Sequence, residues 1–261
     1  MARTSVESFR REVWDHYKKS GRNDLPWRKT ADPYKILVSE VMLQQTQVPR
    51  VIEKYKSFTK KFPTVKKLAD AKLSDVLKQW SGLGYNRRGK YLHDAALAIV
   101  KEHNGIVPHE YPSLRAIPGI GQYTANAVRV FAFNEPEVLV ETNVRTAIIH
   151  YFLEDKTNID DEEIEKLAAR AAVEQDPRQW NSALFDYGAH LKRLGFRTNA
   201  QSARYVRQSK FQGSLRQVRG EILRQLYEGK QPKGDDRLSL ALKGLERNGL
   251  IKKEKGKWRI A

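Results

Sequence analysis

The chain contains no cysteine, which excludes disulfides, thiolate catalysis and any cysteine-ligated zinc or iron–sulfur centre. Histidine is sparse as well. The six histidines are scattered and never fall in a His-Glu-x-x-His spacing, leaving a carboxylate-bound magnesium as the one metal site open at this level. No run of about eighteen apolar residues is available to cross a membrane. The stretch from Met1 to Lys19 lacks the apolar core of a secretory signal, and no lipidation signal stands out. These absences predict a cytoplasmic protein. Acidic residues are in deficit: 31 Asp and Glu face 48 Lys and Arg, a net charge of +17. A surplus of that size favours a polyanionic partner, because each cation set on a phosphate releases condensed counterions. A basic surface serving only solubility is the alternative.

What is present reads as helix. Val6, Phe9, Val13 and Tyr17 recur at steps of three or four and form one helix face. A polar loop from Ser20 to Asp32 carries Leu25-Pro26-Trp27-Arg28. The segment from Tyr34 to Val48 then reads as a helix apolar almost all round. Further helices are expected near 51–62, 73–79, 89–103, 122–133, 143–152, 161–174 and 179–194. Strand signals are nearly absent until the end of the chain, so the main body is predicted all-α. The polar, basic stretch 199–214 reads as a linker. Two further helices, around Leu215–Leu226 and Leu238–Leu245, precede a strand, turn and strand from Leu250 to Ile260. That order resembles a winged helix. A DNA-binding module and a structural cap over the main domain are both open.

The stretch from Leu114 to Ala125 holds Ile117-Pro118-Gly119-Ile120-Gly121-Gln122-Tyr123-Thr124. Pro118 ends a helix, Gly119 and Gly121 permit close approaches that side chains block, and a new helix begins near Gln122. Its free N–H groups form an anion site, suited to holding a DNA phosphate without reading sequence. An ordinary helix–turn–helix connection is the alternative.

Glu40 lies inside the apolar helix, with Ile36, Leu37, Leu43 and Gln44 three and four residues away. No cation can reach it from its own helix. Burial without one raises a carboxyl pKa, which suits a proton donor. Helical spacing puts Glu40, Gln44 and Gln47 on one face. A structural glutamate bonded across the core is the competing reading. A second carboxylate, Glu141, precedes Thr142 and Asn143, either of which suits a helix N-cap. That position favours an ionised carboxylate. By itself Glu141 reads as a helix-terminal charge; beside Glu40 it suggests a division into acid and electrostatic stabiliser.

These segments, with Ser39–Val48, Trp80-Ser81-Gly82-Leu83-Gly84-Tyr85, Val140–Val144 and Phe185-Asp186-Tyr187-Gly188-Ala189, resemble the helix–hairpin–helix DNA glycosylases of the endonuclease III superfamily. The likeness is greatest to the adenine glycosylases that act on A/G and A/8-oxoguanine mismatches, and it runs from about Asp24 to Leu194. It implies two helical subdomains with a DNA cleft between them. They are expected at about 30–133 and at 1–29 with 134–211, the whole forming a glycosylase domain 1–211 followed by the winged-helix-like unit 212–261. It also implies a base flipped out of the duplex. By resemblance Glu40 is the acid that protonates the departing adenine, and Glu141 takes the place of an aspartate that stabilises the cationic sugar. Tyr123 and Asn143 support the pocket. Gln44, Gln45, Leu83 and Tyr85 stand in segments that enter the base stack. Arg87 and Arg88 hold the backbone, and Gly119, Gly121, Gln122 and Thr124 form the phosphate hairpin.

Bifunctional relatives place a lysine where Tyr123 stands, so a monofunctional enzyme without strand nicking is implied. The chain departs from the family in three ways. Glu141 is one methylene longer than the family's aspartate. The four-cysteine iron–sulfur loop expected after Gly188-Ala189 is missing, leaving Arg193, Arg197, Arg204 and Arg207 as substitute phosphate contacts. In place of the domain that reads 8-oxoguanine, the winged-helix-like unit is expected. The expected protein is therefore a cofactor-free monomer acting on double-stranded DNA with a mismatched or damaged base, adenine before others. A thymine or uracil mismatch glycosylase and a non-catalytic DNA-binding protein are the alternatives.

Overall fold

Among the described residues, six helices start on a side chain that accepts a backbone N–H of the first turn: Ser5, Thr64, Glu141, Asp160, Asp176 and Ser214. These caps satisfy donors that a helix leaves unpaired. In a computed structural model describing residues 5–207 and 210–261, the helices are α1 (Val6–Ser20), α2 (Pro33–Leu43), α3 (Val48–Lys61), α4 (Val65–Ala69), α5 (Leu73–Trp80), α6 (Arg87–Glu102), α7 (Tyr111–Ala116), α8 (Gln122–Phe133), α9 (Thr142–Phe152), α10 (Asp161–Ala172), α11 (Pro177–Arg193), α12 (Leu215–Tyr227) and α13 (Leu238–Arg247). Strands β1 (Ile251–Glu254) and β2 (Lys257–Ile260) follow. Residues 1–4 and 208–209, which the expected domain 1–211 includes, lie outside the described residues. Among the described residues the fold is all-α apart from this hairpin and an isolated bridge between Ile159 and Ser202. Among the described residues no helix is long and apolar enough to cross a membrane.

The chain forms two compact units, Met1–Pro33 with Gln122–Arg207 and Tyr34–Gly121 with Gln208–Ala261. In the first, α9 is the central helix. Val144, Ala147, Ile148 and Ile149 are buried with Phe9 and Val13 of α1, Ile164 of α10 and Trp180 and Leu184 of α11. Phe9 meets Tyr151 at 5.0 Å between ring centroids and Trp180 edge-on at 6.2 Å, geometries that aromatic quadrupoles favour.

In the second unit α6 packs against α4 and α5, and α3 against α5. Helix α2 is buried along most of its length, as its all-round apolarity predicts. Helices α12 and α13 and the antiparallel hairpin, which pairs Ile251 with Ile260, follow the winged-helix-like order. They enclose Ile222, Leu223, Leu245, Leu250 and Ile251, and this core closes on Leu77 of α5.

The contacts divide the chain elsewhere than the sequence suggested. The second break falls at 121/122 rather than 133/134, because Ala127, Val130 and Phe131 of α8 pack with Leu139 and Phe185 of the first unit. The segment after the linker shares a core with α5 instead of burying its apolar face alone. The helix expected from Tyr34 to Val48 is also shorter. It ends at Leu43, Gln45 takes a positive φ of 52°, and α3 starts at Val48 with Pro49 in its first turn. A left-handed residue at Gln45 cannot continue a right-handed helix, and Pro49 suits the first turn of a new one, where no N–H is needed.

Candidate active site and nucleic-acid interface

Glu40 stands on the second half of α2 and is 7% exposed. Ile36 and Leu37, one turn earlier on the same side of the helix, are buried as well, and charge is costly in such apolar surroundings. The break after Leu43 removes the polar strip expected along this helix. Gln44 and Gln47 belong to the following turn, with Gln47 the N-cap of α3. Gln45 is exposed and Gln44 half-buried.

Arg88 is the residue that stabilises this break. Its Nη1 donates to the carbonyls of Val41 at 2.6 Å and Met42 at 3.0 Å, and its Nη2 to Thr46 Oγ1 at 2.9 Å. Weaker contacts reach the carbonyls of Leu83 and Gly84. A cation on the last carbonyls of α2 also matches the negative end of the helix dipole. Burial lowers the Arg88 pKa to about 10, which leaves it charged at neutral pH. The expectation that Arg88 holds the DNA backbone is thus corrected: its donors point into the protein. Arg87, one residue earlier, faces solvent and lies over the Tyr91 ring at 5.3 Å.

Tyr91 in turn packs on the hairpin between α7 and α8. A Cβ on Gly119 would come within 2.6 Å of Tyr91 Cβ, and Gly119 has φ +80°, so glycine is required there on both counts. Arg115 Nη1 donates to the Ile120 carbonyl at 2.8 Å, and Ile117 and Ile120 are buried as anchors. The second unit thereby brings Arg87, Tyr91 and Gly119 together at a basic, backbone-lined surface. Gly121 and Gln122 are exposed, but Thr124 is buried. Only its backbone remains a candidate for an anion contact, since its side chain faces the interior.

The segment Trp80–Tyr85 supplies one exposed candidate and one that is not. Leu83 is 3% exposed, and a buried leucine cannot enter a base stack without leaving its core. Tyr85 is half-buried with a positive φ of 45°. Its ring meets two guanidiniums, Arg88 at 5.6 Å and Arg216 of α12 at 5.3 Å, and Arg216 also donates to its hydroxyl. Arg216 carried no sequence signal, because it comes from an element 131 residues away.

In the first unit Tyr123 opens α8, half-buried against the group of Ala127, Val130 and Leu139. The N-cap of α9 is Glu141 itself, not Thr142 or Asn143. Its Oε1 accepts from the backbone N–H of Asn143 at 2.7 Å and of Val144 at 3.0 Å. Its Oε2 accepts from Thr142 Oγ1 and Asn143 Nδ2, both at 3.2 Å. The extra methylene lets the carboxylate fold back onto its own helix. Glu141 and Asn143 are hydrogen-bond partners.

The motifs around Arg28 and Asp186 also meet, through a bidentate ion pair joined by Arg22. Arg204, expected on phosphate, lies 3.4 Å from Asp161, and Arg197 donates to the carbonyls of Lys192 and Phe196. Among the described residues no group of three or more His, Asp or Glu is placed to hold a metal ion. The positions after Gly188-Ala189 are His190, Leu191 and Lys192, a donor set that cannot ligate an iron–sulfur cluster.

Residues 38–172 match the HhH-GPD superfamily of base excision DNA repair proteins. The chain is 37% identical over 185 residues to an adenine DNA glycosylase of Buchnera aphidicola, covering 69% of this chain and 52%, about half, of that relative. It is 34% identical over 241 residues to an adenine DNA glycosylase of Mycolicibacterium smegmatis, covering 84% of this chain and 79% of the relative. Among solved structures, a thermostable thymine-DNA glycosylase superposes with a TM-score of 0.62 at 25% identity, covering 70% of this chain and 86% of that one. With the family match spanning the Glu40 helix, the hairpin and the Glu141 cap, the chain belongs to the HhH-GPD superfamily of base excision DNA repair proteins.

Proposed function

We propose that this protein is a monofunctional DNA glycosylase that removes adenine from mismatched duplex DNA. The observation that carries the reading is Glu40, a buried acid on α2 within the stretch that matches the repair superfamily. Relatives named adenine DNA glycosylase support adenine as the target.

In this reading Glu40 gives its proton to the flipped base, the bond from C1′ to the base nitrogen breaks, and the base leaves neutral with the electron pair. The sugar is left cationic, and the Glu141 carboxylate stabilises that charge. Water then adds its oxygen to C1′ and releases a proton, leaving an abasic site. Arg87, Gly119, Gly121 and the amides at the start of α8 hold the phosphates, and Tyr85 with Gln44 and Gln45 fills the stack. The head of α8 offers Tyr123 and no amine, which supports hydrolysis without a covalent lyase step. The residues given chemical roles, Glu40 to Asn143, lie within the stretch that matches the repair superfamily. The enzyme works as a cofactor-free cytoplasmic monomer on DNA.

The test is a panel of end-labelled duplexes with adenine, thymine, uracil or hypoxanthine opposite guanine, 8-oxoguanine and the ordinary bases. Adenine release that appears as a nick only after alkali is the expected result, and Glu40→Gln should abolish it while DNA affinity stays within about threefold, because phosphate contacts dominate binding. Preferential thymine release would favour the activity named for the solved structural neighbour. Tight binding without release from any duplex would sink the enzymatic reading, and nicking without alkali would sink the monofunctional one.

A further inference from the structure

Glycine at position 188 lets α11 touch the first turn of α9. A Cβ there would lie 2.0 Å from the Asn143 carbonyl oxygen, so any side chain would force the two helices apart. One turn further along the same face of α11 stands Lys192. Its Nζ donates to Thr142 Oγ1 at 2.8 Å and to Asn143 Oδ1 at 2.9 Å. These are the two side chains that bond Glu141 Oε2.

The chemistry of the three groups sets the direction of the network. An ammonium donates and never accepts, a hydroxyl does both, and an amide presents an acceptor on one arm and donors on the other. With Lys192 donating to it, Asn143 Oδ1 is fixed on the lysine side, and Asn143 Nδ2 must face Glu141. With Lys192 donating to its oxygen, Thr142 turns its hydroxyl hydrogen toward Glu141. Both bridging side chains thus become donors aimed at one carboxylate oxygen, while the helix amides hold the other. Replacing the ammonium by a group that also accepts would free Asn143 to turn its carbonyl oxygen onto the carboxylate, where two acceptors repel.

We propose that Lys192 is a positioning residue for Glu141: through Thr142 and Asn143 it holds the carboxylate in a single orientation for the reacting sugar. This rests on the reading that Glu141 stabilises the cationic sugar. Lys192 is half-buried, and burial lowers its pKa against the opposing pull of Glu141.

The experiment compares the full-length protein with Lys192→Met, Lys192→Gln, Lys192→Arg, Glu141→Gln and the Glu141→Gln/Lys192→Met double variant. Single-turnover release of adenine from the best duplex of the panel is read beside duplex affinity and the melting temperature. Lys192→Met and Lys192→Gln should slow release by about tenfold or more, the scale of one charge-assisted hydrogen bond. Affinity should stay within about threefold, since phosphate contacts set binding. Lys192→Arg, which keeps a donor-only cation, should recover most of the rate. The double variant should be no slower than Glu141→Gln alone, because a residue that acts through Glu141 has nothing left to position.

If Lys192→Met and Lys192→Gln release base at the full rate while Glu141→Gln is slow, the Lys192 proposal is overturned and the role of Glu141 stands. Additive losses in the double variant overturn it as well. A full rate in Glu141→Gln overturns the underlying reading of Glu141. Should Lys192→Met fail to fold, Lys192→Gln against Lys192→Arg decides by the same criteria.

Discussion

Arg28 and Asp186 meet through both arms of the guanidinium, Nη1 to Oδ2 at 2.6 Å and Nη2 to Oδ1 at 2.8 Å. The Asp186 side chain is 1% exposed and that of Arg28 12%, so the pair is held out of water. Arg22 adds its backbone N–H at 2.8 Å and its Nε at 2.7 Å. This junction ties the loop after α1 to the middle of α11.

Asp186→Ala should therefore lower stability by about 3–5 kcal/mol, the cost of leaving a buried guanidinium uncompensated. The same junction makes stability depend on pH. Burial pushes the Asp186 carboxyl up, but the hydrogen bonds and charge of Arg28, with those of Arg22, outweigh it and hold the pKa below its ordinary value of 3.8. A carboxyl with a lower pKa folded than unfolded contributes fully above the unfolded value and loses that contribution as pH falls through the folded one. Urea titrations should show the gap between wild type and Asp186→Asn steady from pH 7 to about 5 and narrowing below about 4. A gap constant down to pH 2 would contradict the assignment.

Neighbouring arginines of α6 should behave in opposite ways. Arg88→Ala removes the cation bonded to the Val41 and Met42 carbonyls and should cost about 2–3 kcal/mol of stability, with the salt dependence of DNA binding unchanged. Arg87→Ala should leave the melting temperature alone and reduce the salt slope by about one. Thermal melts and binding isotherms at several salt concentrations check both.

Gly119→Ala should destabilise by about 1–3 kcal/mol, the scale of strain for a side chain held at positive φ, and should weaken duplex binding regardless of sequence. Adding Tyr91→Gly removes the Cβ behind the 2.6 Å clash but not the backbone strain at position 119, so, measured in a Tyr91→Gly background, Gly119→Ala should recover only part of its lost stability. Full recovery would show that the clash alone matters.

Leu77 is fully buried in the core shared by α5, α12, α13 and the hairpin. Leu77→Ala should cost about 2–5 kcal/mol and should speed hydrogen exchange at the amides of β1 and β2. Unchanged exchange there would show that the C-terminal segment holds itself together without α5.

Much of the molecule was legible because its signals are local. The dry surroundings of Glu40 follow from the apolar residues of its own helix, and the hairpin at Gly119 from proline and glycine geometry within a few residues. The two helices and hairpin after the linker follow from periodicity and a Gly turn. Short elements were harder. Helix α4 has five residues, too few for a repeat at three and four to register. The end of α2 is hidden in the sequence, because apolar residues recur up to Val48 and no glycine marks the positive φ at Gln45.

The sequence by itself determined that this chain is helical, basic, free of cysteine and built around an acid on a dry helix, since composition and short-range periodicity set all of these. Tertiary structure alone decided what the polar side chains do. Arg88 became an anchor for α2, Leu83 a core residue and Glu141 a helix cap. Asp186 became the centre of an ion-pair junction and Lys192 a donor to the partners of Glu141. Hydrogen bonds between residues such as Lys192 and Asn143, 49 positions apart, depend on where two helices come to rest, and no spacing along the chain encodes that distance.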